Sequence, residues 1–147
     1  MTNIHKSTKI ILEKDLSYKV VGAIYSVVKK YGSGFKEQIY QKALAEELEK
    51  LGLWAKQQQR INIYSLDTGK VLGTYVPDFI IEDKIILEIK ATGFTIRQNI
   101  DQQRSYLKAS KYEIGYLVNF GTPKLDLKRS IYTNDRKPFI AKLETNK

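Results

Sequence analysis

The stretch from Val76 to Lys90, V-P-D-F-I-I-E-D-K-I-I-L-E-I-K, constrains the fold of this chain more than any other. Two short apolar runs, Phe79-Ile80-Ile81 and Ile85-Ile86-Leu87, flank the polar Glu82-Asp83-Lys84 and read as the strands of a hairpin. Each carries a charge where a buried strand disfavours one. Asp78 opens the first strand directly after Pro77, and Glu88 lies between Leu87 and Ile89 in the second. A buried carboxylate without a partner costs several kcal/mol or neutralises by shifting its pKa. These charges therefore need partners or a cation.

The register of the hairpin decides between those outcomes. Strand side chains alternate, so Glu88 and Lys90 share one face. With a three-residue Glu82-Asp83-Lys84 loop, Ile81 pairs with Ile85 and Asp78 falls opposite Glu88. With a two-residue Asp83-Lys84 loop, Asp78 faces the other way. The three-residue loop is expected, because only then do the two carboxylates close on one cation without bending a strand.

Composition limits what that cation and its chemistry can be. The chain of 147 residues has no cysteine and one histidine, His5, which leaves no thiol nucleophile, no sulfur ligand and little basis for a Ser-His triad or a histidine metal site. Catalysis must run on carboxylates, lysines, tyrosines or amides, and a metal would be of the hard, oxygen-seeking kind. No apolar run approaches the roughly 20 residues that span a bilayer. The start M-T-N-I-H-K-S-T-K has no secretory core. The expectation is a cytoplasmic protein without membrane contact. Net charge is +9, and from Arg97 onward eleven basic residues face five acidic ones. An anionic partner, nucleic acid first, accounts for such clustering, and a solvated high-pI surface is the competing account.

The rest of the chain supplies elements around the hairpin. From Asp15 to Tyr31 apolar residues recur at three and four, predicting a helix stopped by Gly32; a second runs from Phe35 to Leu51 and stops at Gly52. Trp54 to Tyr64 reads as a strand with a polar lead-in, and Lys70 to Ile81 as its return after the Asp67-Thr68-Gly69 turn. With Ile85 to Ala91 these make an antiparallel three-strand meander. Thr95 to Ala109 is a helix with Ile96, Ile100, Gln103, Tyr106 and Leu107 facing in. Tyr112 to Phe120 and Leu125 to Tyr132 are two further strands. The helix after the meander is a crossover, so the strands on either side of it are parallel neighbours in a mixed sheet. The prediction is one domain over residues 1–147, of mixed α/β class, with loosely ordered ends at 1–14 and 135–147.

Two converging carboxylates hold a magnesium ion, which keeps several waters and takes up phosphate oxygens. A lysine two residues past one of them reaches the attacking water or the developing charge. Together these groups fit metal-assisted phosphodiester hydrolysis. Pro77-Asp78 and Glu88-Ile89-Lys90 resemble the PD-(D/E)XK signature of the restriction-endonuclease-like nucleases. Gly34-Phe35-Lys36-Glu37-Gln38-Ile39-Tyr40 is similar to the G-x-x-E-x-x-Y motif that names a family within that superfamily. The resemblance runs from about Leu16 to Arg129 and takes in Gln102, Tyr106 and Asn119-Phe120-Gly121. It implies a restriction-endonuclease-like core with two N-terminal helices packed on the sheet, a Mg2+ (or Mn2+) nuclease site, and a helical glutamate, by position Glu37, as a further acidic residue.

The implied catalytic set is Glu37, Asp78, Glu88 and Lys90, with Asp78, Glu88 and Glu37 on the metal. Each candidate also has a plainer reading. Glu37 lies in the first turn of a helix, where the dipole favours an acid, and Tyr40 suits a core aromatic with its hydroxyl bonded. Gln102 and Tyr106, four apart, share a helix face that either packs on the sheet or, like Tyr40, positions substrate. The function expected is an Mg2+-dependent nuclease, on DNA rather than RNA. The alternative is a non-catalytic nucleic-acid- or partner-binding module that keeps the fold. Resolvase-like chemistry would call for a homodimer, and the sequence leaves that open.

Overall fold

Phe79, Ile81, Ile85, Leu87 and Ile89 are fully buried on one side of the central hairpin, while Ile80 and Ile86 between them are buried on the other. Period-two alternation with both faces apolar makes this the middle of a sheet covered on both sides. A computed structural model describes residues 12–145. The expected loose end at 1–14 lies almost wholly outside them.

In chain order the elements are α1 (Lys14–Tyr31), α2 (Glu37–Lys50), β1 (Ala55–Gln57), β2 (Ile61–Tyr64), β3 (Val71–Tyr75), β4 (Phe79–Ile81), β5 (Ile85–Lys90), α3 (Arg97–Lys108), β6 (Ile114–Asn119), β7 (Asp126–Ile131), a 3-10 turn (Asn134–Arg136) and α4 (Phe139–Thr145). Five strands form the main sheet in the order β1-β4-β5-β6-β7, and β2 and β3 form a separate two-stranded ribbon. β5 and β6 are parallel, joined by the α3 crossover; the other neighbours are antiparallel. The mixed α/β class and the restriction-endonuclease-like arrangement are as the sequence predicts.

One face of the sheet is covered by α1 and α2, through Val20, Ala23, Ile24 and Val27 from the first and Tyr40, Ala43, Leu44 and Leu48 from the second. The other face meets Leu107 of α3 and Ile61 of the ribbon around Ile80 and Ile86. Burying each of the Val, Leu and Ile side chains contributes about 1.5–3 kcal/mol, so these two layers fix where the hairpin sits. Among the described residues no helix is long and apolar enough to cross a membrane.

Three features differ from the sequence reading. The two long strands predicted over Trp54–Tyr64 and Lys70–Ile81 are each divided, and their halves belong to different sheets. The first breaks at Gln58, which takes φ 52, and the second at Val76 to Asp78. The meander survives as β1-β4-β5. Ile96, directly before α3, is exposed, whereas Gln103 and Leu107 within the helix face in as expected. Where a loose end was expected from residue 135, α4 packs Phe139, fully buried, against the Tyr64 ring at 5.6 Å between centroids.

Candidate functional site

The β4–β5 hairpin has the predicted register: Ile81 pairs with Ile85, Ile80 with Ile86 and Phe79 with Leu87. Asp78 lies in the bend directly before Phe79, and the same register carried one step further points it toward Glu88. The loop is the three-residue one, with Glu82 and Asp83 both at positive φ (52° and 53°) and the Lys84 N–H donating to the Ile81 carbonyl at 3.0 Å. Pro77 is buried just before Asp78, and its missing N–H suits a point where the chain leaves one sheet for the other.

Asp78 is half-buried and tied to backbone. Its Oδ2 accepts from the Ile89 N–H at 2.8 Å, and its Oδ1 accepts from the Gln58 amide at 3.4 Å. Glu88 and Lys90 are half-buried on the α3 side of β5, flanked by the fully buried Leu87 and Ile89. Burial pushes the Glu88 carboxyl up to about 7, with the nearby Glu37 charge adding to the rise; Lys90 and the Gln103 amide oppose it. Glu37 is exposed at the start of α2, yet loss of solvation and the Asp78 charge raise its carboxyl above the usual range, against the pull of Lys90. Glu37 therefore feels the charges of Asp78, Lys90 and Glu88, and Glu88 those of Lys90 and Glu37.

The other predicted residues lie elsewhere. Tyr40 is fully buried: its ring stacks on Phe120 with centroids 4.6 Å apart, and its hydroxyl donates to the Gly32 carbonyl at 2.5 Å and accepts from the Phe35 N–H at 3.2 Å. It shapes the α1–α2 connection rather than facing substrate. Tyr106 stacks on Tyr75 of the ribbon with centroids 3.8 Å apart, and Gln102 is exposed. The glutamine at the carboxylates is Gln103, 1% exposed, whose Nε2 donates to the Tyr116 carbonyl at 2.8 Å. Room for it comes from Gly115, where a Cβ would stand 2.7 Å from the Gln103 amide. The inward phase of Gln103 was readable from the apolar spacing of α3, but its place beside Glu88 depends on the crossover.

Asn119, also buried, braces the loop after β5. Its Oδ1 accepts from the Thr92 and Gly121 N–H groups at 3.1 and 2.9 Å, and its Nδ2 donates to the Thr92 and Thr95 hydroxyls, both at 3.2 Å. That loop carries the chain from Lys90 to α3.

The donor set at the hairpin is all oxygen, which suits a hard divalent cation. Glu88, held near neutrality by burial, is a group whose ionised form such a cation would stabilise. Among the described residues no three His, Cys, Asp or Glu side chains are grouped closely enough to hold a metal by themselves. Two carboxylates with retained waters remain a sufficient protein contribution for magnesium-like ions. The site thus matches a two-carboxylate arrangement with Glu37 nearby.

Comparison with known proteins adds the family. The family model described as the PD-(D/E)XK nuclease superfamily matches residues 14–130, a span that includes Glu37, the hairpin, α3 and β6. Nucleases of this superfamily generally use divalent metals. No curated protein matches the sequence. Among solved structures, the crystal structure of SSO0001 is 22% identical with a TM-score of 0.47, covering 73% of this chain and 55% of its own. An alkaline exonuclease from Laribacter hongkongensis is 15% identical with a TM-score of 0.42, covering 74% of this chain and 66% of its own. The chain thus spans about half to two thirds of the length of these structures. The match over residues 14–130, on a chain whose hairpin carries Pro77-Asp78 and Glu88-Ile89-Lys90, makes this protein a member of the PD-(D/E)XK nuclease superfamily.

Proposed function

We propose that the protein is a metal-dependent nuclease of the G-x-x-E-x-x-Y group, formed as a single domain in the cytoplasm and hydrolysing phosphodiester bonds of DNA in preference to RNA, with Mg2+ or Mn2+ as its cofactor. One observation carries the reading. The β4–β5 register, carried one residue past the Phe79–Leu87 pair, supports Asp78 facing Glu88, and Glu88, in its apolar strand, is pushed to about 7 with Lys90 on the same face. When bound, the metal would supply Lewis-acid polarisation of the scissile phosphate and a more acidic water.

The chain's own residues do the rest. Asp78, fixed by the Ile89 N–H, and Glu88 offer the oxygen ligands. Lys90 holds the attacking water or stabilises charge on the phosphate oxygens. Glu37 adds negative charge at the mouth of the site, and the Gln103 amide orients Glu88 while anchored to the Tyr116 carbonyl.

The test is cleavage of plasmid, linear, branched and single-stranded DNA, and of RNA, in Mg2+ or Mn2+. Cleavage lost in chelator and in Asp78→Ala and Lys90→Met supports the reading; no cleavage of any substrate removes it. The second reading, a nucleic-acid- or partner-binding module without turnover, is favoured by the lack of a third grouped carboxylate among the described residues. It predicts salt-sensitive DNA binding and no heat of Mg2+ binding in calorimetry, with DNA present or absent.

A further inference from the structure

The chain has one tryptophan, Trp54, and it is 56% exposed. It lines a cavity of about 300 Å3 together with Lys56, Arg60, Asp83, Lys111 and Tyr112. The Lys56 ammonium lies 4.3 Å from the Trp54 ring centroid, and that of Lys111 lies 5.4 Å from the Tyr112 ring. One carboxylate answers these cations: Asp83 accepts from the Tyr112 hydroxyl at 2.7 Å and pairs with Lys111 at 3.6 Å. Among the described residues Arg60 has no carboxylate partner. Three cations, one anion and three aromatic rings, Tyr64 being the third, give the cavity a net positive charge with a stacking surface, the combination that holds phosphate and base together.

The cavity is tied to the carboxylates by position. Tyr112 and Ile61, which help line it, pack with Ile86, on the face of β5 that Glu88 also occupies. From Ile85, at the loop that carries Asp83, to Glu88 is three residues, roughly 10 Å along the strand. The segment that presents Arg60 leaves β1 through Gln58, a non-glycine at φ 52. Gln58 is held there by hydrogen bonds from its N–H to the Asp78 carbonyl at 3.2 Å and from its amide to Asp78 Oδ1 at 3.4 Å.

We infer that this cavity seats one unpaired nucleotide of a nucleic-acid strand whose scissile phosphate lies at Glu88, the base against Trp54 and the phosphate between Arg60 and Lys111. The inference rests on the nuclease reading for its partner. An unpaired nucleotide fits because a base inside a duplex has both faces covered, and stacking on a side chain needs an open one.

Trp54, as the sole tryptophan, reports its own site. The full-length protein in chelator, so that nothing is cut, is titrated with a single-stranded oligodeoxynucleotide, a blunt duplex of equal length and inorganic phosphate, reading tryptophan emission. The single strand is expected to quench emission saturably, with affinity falling as salt rises. Arg60→Gln and Lys111→Gln, both at exposed positions, each weaken it about tenfold. No quench by the single strand, equal affinity in both variants, or equal quenching by duplex or by phosphate overturns the inference. Cleavage is read separately in Mg2+. Quenching without cleavage keeps the cavity and removes the nuclease reading, and cleavage without quenching does the reverse.

Discussion

Replacing Glu88 with glutamine separates a strained metal-site carboxylate from a structural one. In the folded protein this carboxyl moves from 4.5 to about 7, chiefly through burial. At about 1.36 kcal/mol per pKa unit the penalty for keeping it ionised has a ceiling of about 3 kcal/mol. Water reaches the partly exposed group, so about 1–2 kcal/mol is the expected size. Because the folded pKa lies above the unfolded value of roughly 4.3, the folded state binds the extra proton between them. Stability from this group therefore falls as pH rises from about 4.5 to 7 and stays low above that. Glu88→Gln lacks the penalty. In chelator at pH 8 it should be more stable than the parent by about 1–2 kcal/mol, or about 3–6 °C in melting temperature. Near pH 4.5 the gain should shrink to a few tenths. Added Mg2+ or Mn2+ should raise the melting temperature of the parent at pH 8 and leave the variant unmoved. Paired denaturant and thermal melts at the two pH values measure this. A variant less stable than the parent at pH 8 in chelator would refute the reasoning, because it would make the Glu88 carboxylate a favourable partner of Lys90 and Gln103.

Other substitutions probe the surroundings of the site. Gln103→Leu removes a group that lowers the Glu88 carboxyl, so the acidic limb of the cleavage pH profile should move upward; an unmoved limb would detach Gln103 from Glu88. Tyr40→Phe loses the bond to the Gly32 carbonyl and should cost about 1 kcal/mol in urea melts with kcat/KM retained, whereas a substrate-positioning Tyr40 would lower kcat/KM. At Gly121 a Cβ would stand 2.5 Å from the Thr92 nitrogen and 2.6 Å from the Ala91 carbonyl carbon. Since backbone cannot move aside cheaply, Gly121→Ala should cost at least about 2 kcal/mol in the same melts.

The hairpin at the centre of the fold was legible because its information is local. Alternation and loop length fix which residues oppose each other, and both are written in Val76 to Lys90. The division of the first long strand was not, because no glycine or proline marks the break at Gln58, whereas Pro77 stands at the break in the second. Gln58 takes positive φ under the hold of Asp78, 20 positions away. Gln102 and Gln103 differ by one step of about 100° around α3, and only the docked helix shows which of them reaches the sheet. α4 is short and follows Pro138, so its order rests on Phe139 finding Tyr64, a contact absent from any local pattern. Tyr40 carries a polar tip that suits either role, and its hydroxyl's partners in the α1–α2 connection decide between them.

The fork at Gln58 and Asp78 has a mechanical consequence. One long hairpin changes sheets there, its base held in the five-stranded sheet and its arm free of that ladder as the β2–β3 ribbon. Amide hydrogens of the arm should exchange sooner than those of β4 and β5, since a two-stranded ribbon opens without breaking the central ladder. Asp78 sits at the pivot, so opening of the arm pulls on the Gln58 bonds that orient its carboxylate. Flexing of a peripheral ribbon is thereby geared to the aim of a carboxylate in the middle of the molecule.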